Sequence, residues 1–139
     1  MYIIKTKSTF DSAHFLKGYD GKCANIHGHR WTVSVEVQSE NVESEGPFRG
    51  MIVDFSKLRG DLKEETDKLD HTLIYEKGSL KATTEAAMLD EGFQLVALDF
   101  RPTAENLSKY FYDLMSGKGY TVKLCRVYET PENVAEYSE

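Results

Sequence analysis

"HGHRWTVSVEVQSE", residues 27–40, puts His27, His29, Trp31, Val33, Val35 and Val37 on one parity and Arg30, Thr32, Ser34, Glu36 and Gln38 on the other. A repeat of two is the side-chain period of a β-strand, so this stretch reads as a strand with one buried and one wet face. Residues 2–13 alternate in the same way and supply a first strand before it.

After the second strand, "SEGPFRG" (44–50) is a turn and "MIVDF" (51–55) a short extended piece. Leu58, Leu62 and Leu69 then recur at helical spacing, which predicts a helix over Lys57–Leu69 with Gly60 near its first turn. Within residues 72–101 the pattern gives a short helix around Thr84–Asp90 and a short strand around Leu95–Leu98. "PTAENLSKYFYDLMSGKG" starts on Pro102 and Thr103, carries Leu107, Tyr110, Phe111 and Leu114 on one face and stops at Gly117, a full helix signature. "YTVKLCRVYET" is a strand broken by Pro131, and "NVAEYSE" a last short strand.

The main elements run ββααββ. They predict one α+β domain over residues 1–139: a four-stranded antiparallel sheet with two main helices on one face. Seventeen Lys and Arg against 23 Asp and Glu leave a net charge of −6, with no basic cluster, which argues against a general nucleic-acid or membrane-surface binder. No apolar run approaches the roughly 20 residues of a membrane helix, and "MYIIKTKSTF" lacks signal-peptide features, so a cytoplasmic protein is expected. In that compartment Cys23 and Cys125 are expected to be free thiols. Cys125, between Leu124 and Arg126 in a strand, reads as buried and inert.

The chemistry concentrates around "KCANIHGHRW" (22–31). His27 and His29 are co-facial if the strand is regular, and Gly28 between them permits a bulge or a close backbone approach. His14, at the end of the first strand, comes within reach if the two strands are neighbours. Three histidines without a fourth protein ligand make the open, catalytic kind of zinc site, whereas half-buried polar residues at a strand start are an equally good reading of "HGH" alone. Cys23 is either a fourth ligand or a free thiolate acting as a base beside the metal. "DH" at Asp70–His71 fits a solvated helix end, or an Asp fixing a His tautomer. Glu105 suits a helix N-terminus by charge alone, and Glu129 reads as an edge residue unless a heterocycle offers it an amidine-like edge.

Five motifs in order, "FDSAHF" (10–15), "CANIHGH" (23–29), "LDH" (69–71), "PTAENL" (102–107) and "VYET" (127–130), resemble the 6-pyruvoyltetrahydropterin synthase / 6-carboxytetrahydropterin synthase family over nearly the whole chain. The resemblance implies the tunnelling fold, Zn2+ held by His14, His27 and His29, and Cys23 as the proton-abstracting base. It also implies an Asp70–His71 relay and a pterin anchor at Glu129 with Thr103 and Glu105 nearby. The substrate implied is 7,8-dihydroneopterin triphosphate, and the assembly a homo-oligomer, a hexamer of two stacked trimers with active sites at subunit interfaces. Three residues between Cys23 and His27 are similar to the carboxy branch of queuosine and 7-deazapurine biosynthesis, a carbon–carbon lyase that releases acetaldehyde and triphosphate. The pyruvoyl synthase, to which "VYETPENVAEY" is equally similar, and a non-catalytic zinc-stabilised pterin-binding oligomer are the alternatives. Thr72–Arg101 is longer than the carboxy branch requires, and is expected at the pocket mouth or a subunit contact. Lys17, Lys22 and Arg30 are the cations nearest the motif in sequence, without a sequence-based claim on the triphosphate.

Overall fold

The computed structural model describes residues 1–139. Strands β1 (Tyr2–His14) and β2 (His27–Ser39) pair antiparallel without interruption, from Tyr2 opposite Ser39 to His14 opposite His27. Helix α1 (Phe55–Asp67) follows, then β3 (Thr72–Glu76), α2 (Ala82–Asp90), β4 (Leu95–Leu98), α3 (Ala104–Gly117), β5 (Val122–Tyr128) and β6 (Val134–Tyr137).

The sheet differs from the expectation of four antiparallel strands in the order ββααββ. It has six strands in the order β4-β3-β1-β2-β5-β6, with β3 parallel to β1 and β4 parallel to β3. The missing strand is β3, and its sequence explains why. Leu73, Ile74 and Tyr75 are all buried, because a strand covered on both faces shows no alternation to read. A third helix, α2, joins β3 to β4, as two parallel strands require of their connection.

"MIVDF" is not extended in a ladder but leads into a helix cap. The Asp54 carboxylate accepts from the backbone N–H of Ser56 at 2.8 Å, so α1 starts at Phe55, two residues before its expected start. It also ends at Asp67, and Leu69 is buried in the turn beyond it. For α3 the expected start holds: the Thr103 hydroxyl accepts from the Asn106 N–H at 3.2 Å.

Trp31, Val33, Val35 and Val37 of β2 are buried on the parity the sequence predicted, under Leu58 and Leu62 of α1 and Leu107, Phe111 and Met115 of α3. Phe10 lies opposite Trp31 and stacks on it, with ring centroids 5.9 Å apart. A smaller cluster of Phe15, Leu73 and Tyr75 packs with Met88 of α2 and Leu95 of β4, while Ile74, of opposite parity, joins the main core. Residues 72–101 thus add two strands and a helix with a core of their own. No helix is long and apolar enough to cross a membrane.

Phe111 has no exposed surface and touches both Phe10 and Tyr110. Phe111→Ala is expected to lower the unfolding free energy by roughly 3–5 kcal/mol, read from urea denaturation.

Candidate functional site

The β1–β2 register decides where the histidines meet. Directly opposed residues of an antiparallel pair point to the same side, so Phe10 with Trp31, Ser12 with His29, and His14 with His27 line one face. Trp31 packs edge-on against both His14 and His29, at centroid distances of 4.9 and 5.3 Å. The floor of the core therefore holds two of the imidazoles in place. Gly28 contributes neither a bulge nor an unusually close approach: a Cβ there would sit 3.6 Å from the Ser12 carbonyl, an ordinary contact.

One nitrogen from each of His14, His27 and His29 lies within 4.8 Å of the others, and no further ligand-type side chain joins the group. Two of the tautomers are fixed by backbone carbonyls. His14 Nδ1 donates to the Pro102 carbonyl at 2.8 Å and His27 Nδ1 donates to that of Asn25 at 2.7 Å. A carbonyl only accepts, so both Nδ1 atoms carry hydrogen, and in the neutral rings both Nε2 atoms present lone pairs, which face each other at 3.0 Å. His29 Nε2 is buried without a hydrogen bond. Lone pairs facing at that distance repel one another unless a cation lies between them, and His29 brings a third nitrogen to the same region. Carbonyls holding the distal nitrogens are the outer support that metal-bound histidines use. The residues therefore fit a metal ion with an open position.

Electrostatics favour the neutral, ligating form. Burial pushes the His14 pKa down to about 4 against the opposing pull of the Pro102 carbonyl, and burial also lowers that of His29, where Glu129 opposes. Glu129 Oε1 lies 3.5 Å from His29 Nε2, too long for a good hydrogen bond.

A cavity of about 400 Å³ opens on this site, lined by His14, Cys23, Thr103, Glu105 and Glu129 among others. Cys23 is half-buried in a single 3-10 turn (Lys22–Ala24), and its carbonyl accepts from the Leu16 N–H at 2.9 Å, which draws the turn back to the end of β1. Cys23 lies outside the three-histidine group, so it shares the cavity without completing the cluster. The hydroxyl of Thr103 is engaged in the α3 cap, and Glu105 stands exposed in the first turn of that helix. Glu129 follows β5, and its N–H donates to the Asn133 carbonyl at 3.0 Å, closing the turn around Pro131. Cys125 is buried mid-strand, where burial pushes its thiol up to about 12, well into the inert range.

Asp70 and His71 line neither this cavity nor the adjoining one beside His29 and Glu129. They sit at the β1–β3 junction. Asp70 Oδ1 accepts the Asp11 N–H at 2.8 Å while its Oδ2 meets His71 Nδ1 at 2.8 Å, and the Asp11 hydrogen bond leads in holding the carboxyl below its ordinary pKa. His71 is the one non-glycine residue with positive φ, 57°, and its ring is largely exposed. Ala13, Ile26, Leu73 and Phe93 surround it in an apolar groove.

Of the cations near the motif in sequence, Lys17 and Lys22 are exposed, and Arg30 is spent on Asp11 at 2.9 and 3.1 Å on the opposite face of the sheet. Sequence reasoning missed Tyr19, Arg101 and Asn133, which also line the cavity. All three lie in connections, where no periodicity marks a side chain as inward.

This is a protein whose sheet floor gathers three histidines into a possible metal centre beneath a cavity holding a thiol and a carboxylate. Comparison with known proteins gives the family. The 6-pyruvoyl tetrahydropterin synthase family matches residues 3–139, and the chain belongs to it. It is 32% identical to a 6-carboxy-5,6,7,8-tetrahydropterin synthase of Haemophilus influenzae across all of both chains. It is 34% identical to a putative enzyme of the same name from Pyrococcus horikoshii, over 97% of this chain and 91% of the relative. Among solved structures, an uncharacterised Wolinella succinogenes protein superposes with a TM-score of 0.82 at 20% identity, covering 99% of this chain and 98% of that one. The 6-pyruvoyl tetrahydropterin synthase of Caenorhabditis elegans gives 0.71 at 21% identity over 99% and 95%. These two likenesses are of fold.

His14 yields a pH test. Unfolded, its imidazole titrates near 6.5, so below that pH the unfolded chain takes up a proton that the buried ring resists. The metal-free protein is therefore expected to lose on the order of 3 kcal/mol as pH falls from about 6.5 to about 4. Urea unfolding in chelator would show the decline, and His14→Gln would flatten it.

Proposed function

We propose that the protein is a zinc-dependent carbon–carbon lyase that converts 7,8-dihydroneopterin triphosphate to 6-carboxy-5,6,7,8-tetrahydropterin, releasing acetaldehyde and triphosphate, in queuosine and 7-deazapurine biosynthesis. The observation that carries this is the convergence of the three imidazoles, one of which, His14, shares a cavity with Cys23 and Glu129. The choice of branch is supported by the full-length relatives named as carboxy synthases and by the three residues separating Cys23 from His27.

His14, His27 and His29 would hold the ion, which supplies Lewis-acid polarisation of the substrate's side-chain oxygens and so acidifies the adjoining C–H bonds. Glu129 takes the amidine edge of the pterin through paired N–H donors, fixing which end of the ligand faces the histidines. The Cys23 thiolate removes a proton from the side-chain carbon, and sharing the cavity with Glu129 gives it an oriented target. Asp70 holds the His71 imidazole through Nδ1, leaving Nε2 free to pass a proton.

Because Asp70 and His71 lie away from the Cys23 cavity, the relay requires a second copy of the chain. A homo-oligomer with each site assembled at an interface meets that requirement, and the motif resemblance implies a hexamer of two stacked trimers. Two features support an interface near His71: the sheet ends on that side in a short edge strand, β4, and the groove around His71 exposes Ile26 and Phe93 by 56% and 58%.

Incubation of the zinc-loaded protein with 7,8-dihydroneopterin triphosphate is expected to give 6-carboxytetrahydropterin and acetaldehyde. A pyruvoyl product would transfer the assignment to the other branch, and no pterin product would overturn it. Cys23→Ala is expected to abolish turnover with zinc retained; loss of zinc would make Cys23 a ligand.

Cys23→Ala and His71→Asn should each be inactive alone. Unfolded and refolded together in equal amounts, they should regain about a quarter of wild-type activity, the statistical share of interfaces with both groups intact. Recovery of nothing would place the relay within one chain.

A further inference from the structure

Arg101 lies between β4 and α3 and lines the same cavity as Cys23 and Glu129. Its backbone is pinned: the Arg101 carbonyl accepts from the Thr103 N–H at 2.8 Å and from Asn106 Nδ2 at 3.0 Å. The neighbouring Pro102 carbonyl holds His14. The side chain, by contrast, is unsatisfied. Nε and Nη2 are both shut off from solvent and neither has a hydrogen-bond partner.

These two atoms form one edge of the guanidinium, two parallel N–H groups spaced for two oxygens of a single carboxylate or phosphate. The protein uses this edge elsewhere, where Arg30 donates from Nε and Nη2 to the two oxygens of Asp11. Arg126 likewise spends its donors on Glu36 and Glu136. Arg101 has no carboxylate within ion-pair distance, although Glu105 and Glu129 line the same cavity. Burying such donors unpaired is unfavourable, and it persists where a ligand completes them. The Tyr19 ring lies over the guanidinium, its centre 5.8 Å from the Arg101 Cζ. It is 49% exposed on the turn between Gly18 and Gly21, and it packs there because Gly21 has no side chain: a Cβ would come within 2.8 Å of the ring.

We propose that Arg101 is the anion-recognising residue of the cavity, its Nε–H and Nη2–H edge taking two oxygens of an oxyanion carried on the ligand's side chain. This rests on the pterin reading of the site and deepens it. Two sources share that chemistry, a phosphate of the substrate and the carboxylate of the product. A neutral site for the pterin ring alone would need no such group.

The test uses the zinc-loaded, full-length protein and its Arg101→Gln and Arg101→Lys variants, titrated with inorganic tripolyphosphate, 7,8-dihydroneopterin triphosphate, 6-carboxypterin and unphosphorylated neopterin. Arg101→Gln is expected to weaken binding of the oxyanion ligand by about ten- to a hundredfold while leaving neopterin unchanged. Arg101→Lys should recover little, because an ammonium keeps the charge but lacks the two-donor edge. A loss confined to tripolyphosphate and the triphosphate substrate assigns the edge to phosphate; one confined to 6-carboxypterin assigns it to carboxylate. Equal weakening of neopterin, or no weakening of any anion, overturns the proposal.

If the wild type binds no pterin, the function reading fails, and tripolyphosphate still decides Arg101 by itself: binding that Arg101→Gln removes supports the anion edge, and absence of binding rejects it. Thermal melting without ligand gives an independent readout. Arg101→Leu removes two unpaired buried donors and should melt no lower than wild type, whereas a structural role for the guanidinium would lower the melting temperature and count against the proposal.

Discussion

The β1–β2 ladder is the constraint on which the rest depends. It sets His14 opposite His27 and Ser12 opposite His29, and it does so on the face that carries Phe10 and Trp31 into the core. A slip of one residue would turn every side chain of one strand to the other face, burying Arg30 or Asp11 under the helices and dispersing the imidazoles. Register is therefore specified by the core, and the site inherits its precision from hydrophobic packing. The histidine end of the ladder then receives its loop partners: the Pro102 carbonyl ahead of α3 and the Asn25 carbonyl beside the 3-10 turn. Both orient imidazoles that the strands have already brought together.

What could be read in advance follows from which residues obey a period. β2 was legible because one face is buried and one is wet, and that same period made His27 and His29 co-facial and placed Trp31 beneath them. α3 was legible because Thr103 caps it and its apolar stripe is continuous. β3 was not, since three consecutive buried residues give no alternation, and with it went the parallel half of the sheet. In the site the same division holds. Histidines on strands were placed by periodicity, whereas the cavity positions of Cys23, Glu129 and Arg101 depend on how loops close, which local sequence does not encode. The motif resemblance pointed to Cys23 and Glu129, and Arg101 belongs to none of the motifs.

The β3–α2–β4 segment shows how an addition can leave a site undisturbed. Its alternating residues divide between two cores, Ile74 into the main one and Leu73 and Tyr75 under α2, where the Tyr75 hydroxyl donates to Glu85 at 2.6 Å. The segment packs the large apolar residues of its strands into these cores, leaves Phe93 exposed, and adds strands at the sheet edge away from β2. It nonetheless borders the site at two points. It follows directly on His71 at one end and delivers Arg101 into the cavity at the other. Such a segment can alter what the cavity recognises without altering the histidine cluster.

Local rules are broken at three places: the histidine cluster, with the facing lone pairs of His14 and His27 and the unpartnered Nε2 of His29, the unpaired guanidinium edge of Arg101, and the left-handed backbone of His71. Each costs stability by itself, of order 1–3 kcal/mol for a strained backbone or an unsatisfied buried group. Elsewhere the chain keeps the rules: helix caps are made by Asp54 and Thr103, arginines at positions 30 and 126 are paired, and the large apolar side chains of the core fill it. A sequence consistent at every level except a few positions concentrates its exceptions where a ligand, an ion or a neighbouring chain relieves them. Two of these exceptions share one cavity, and relief of both from a single direction is what binding there would provide. The third, His71, lies in an exposed apolar groove, where relief has to come from outside the chain.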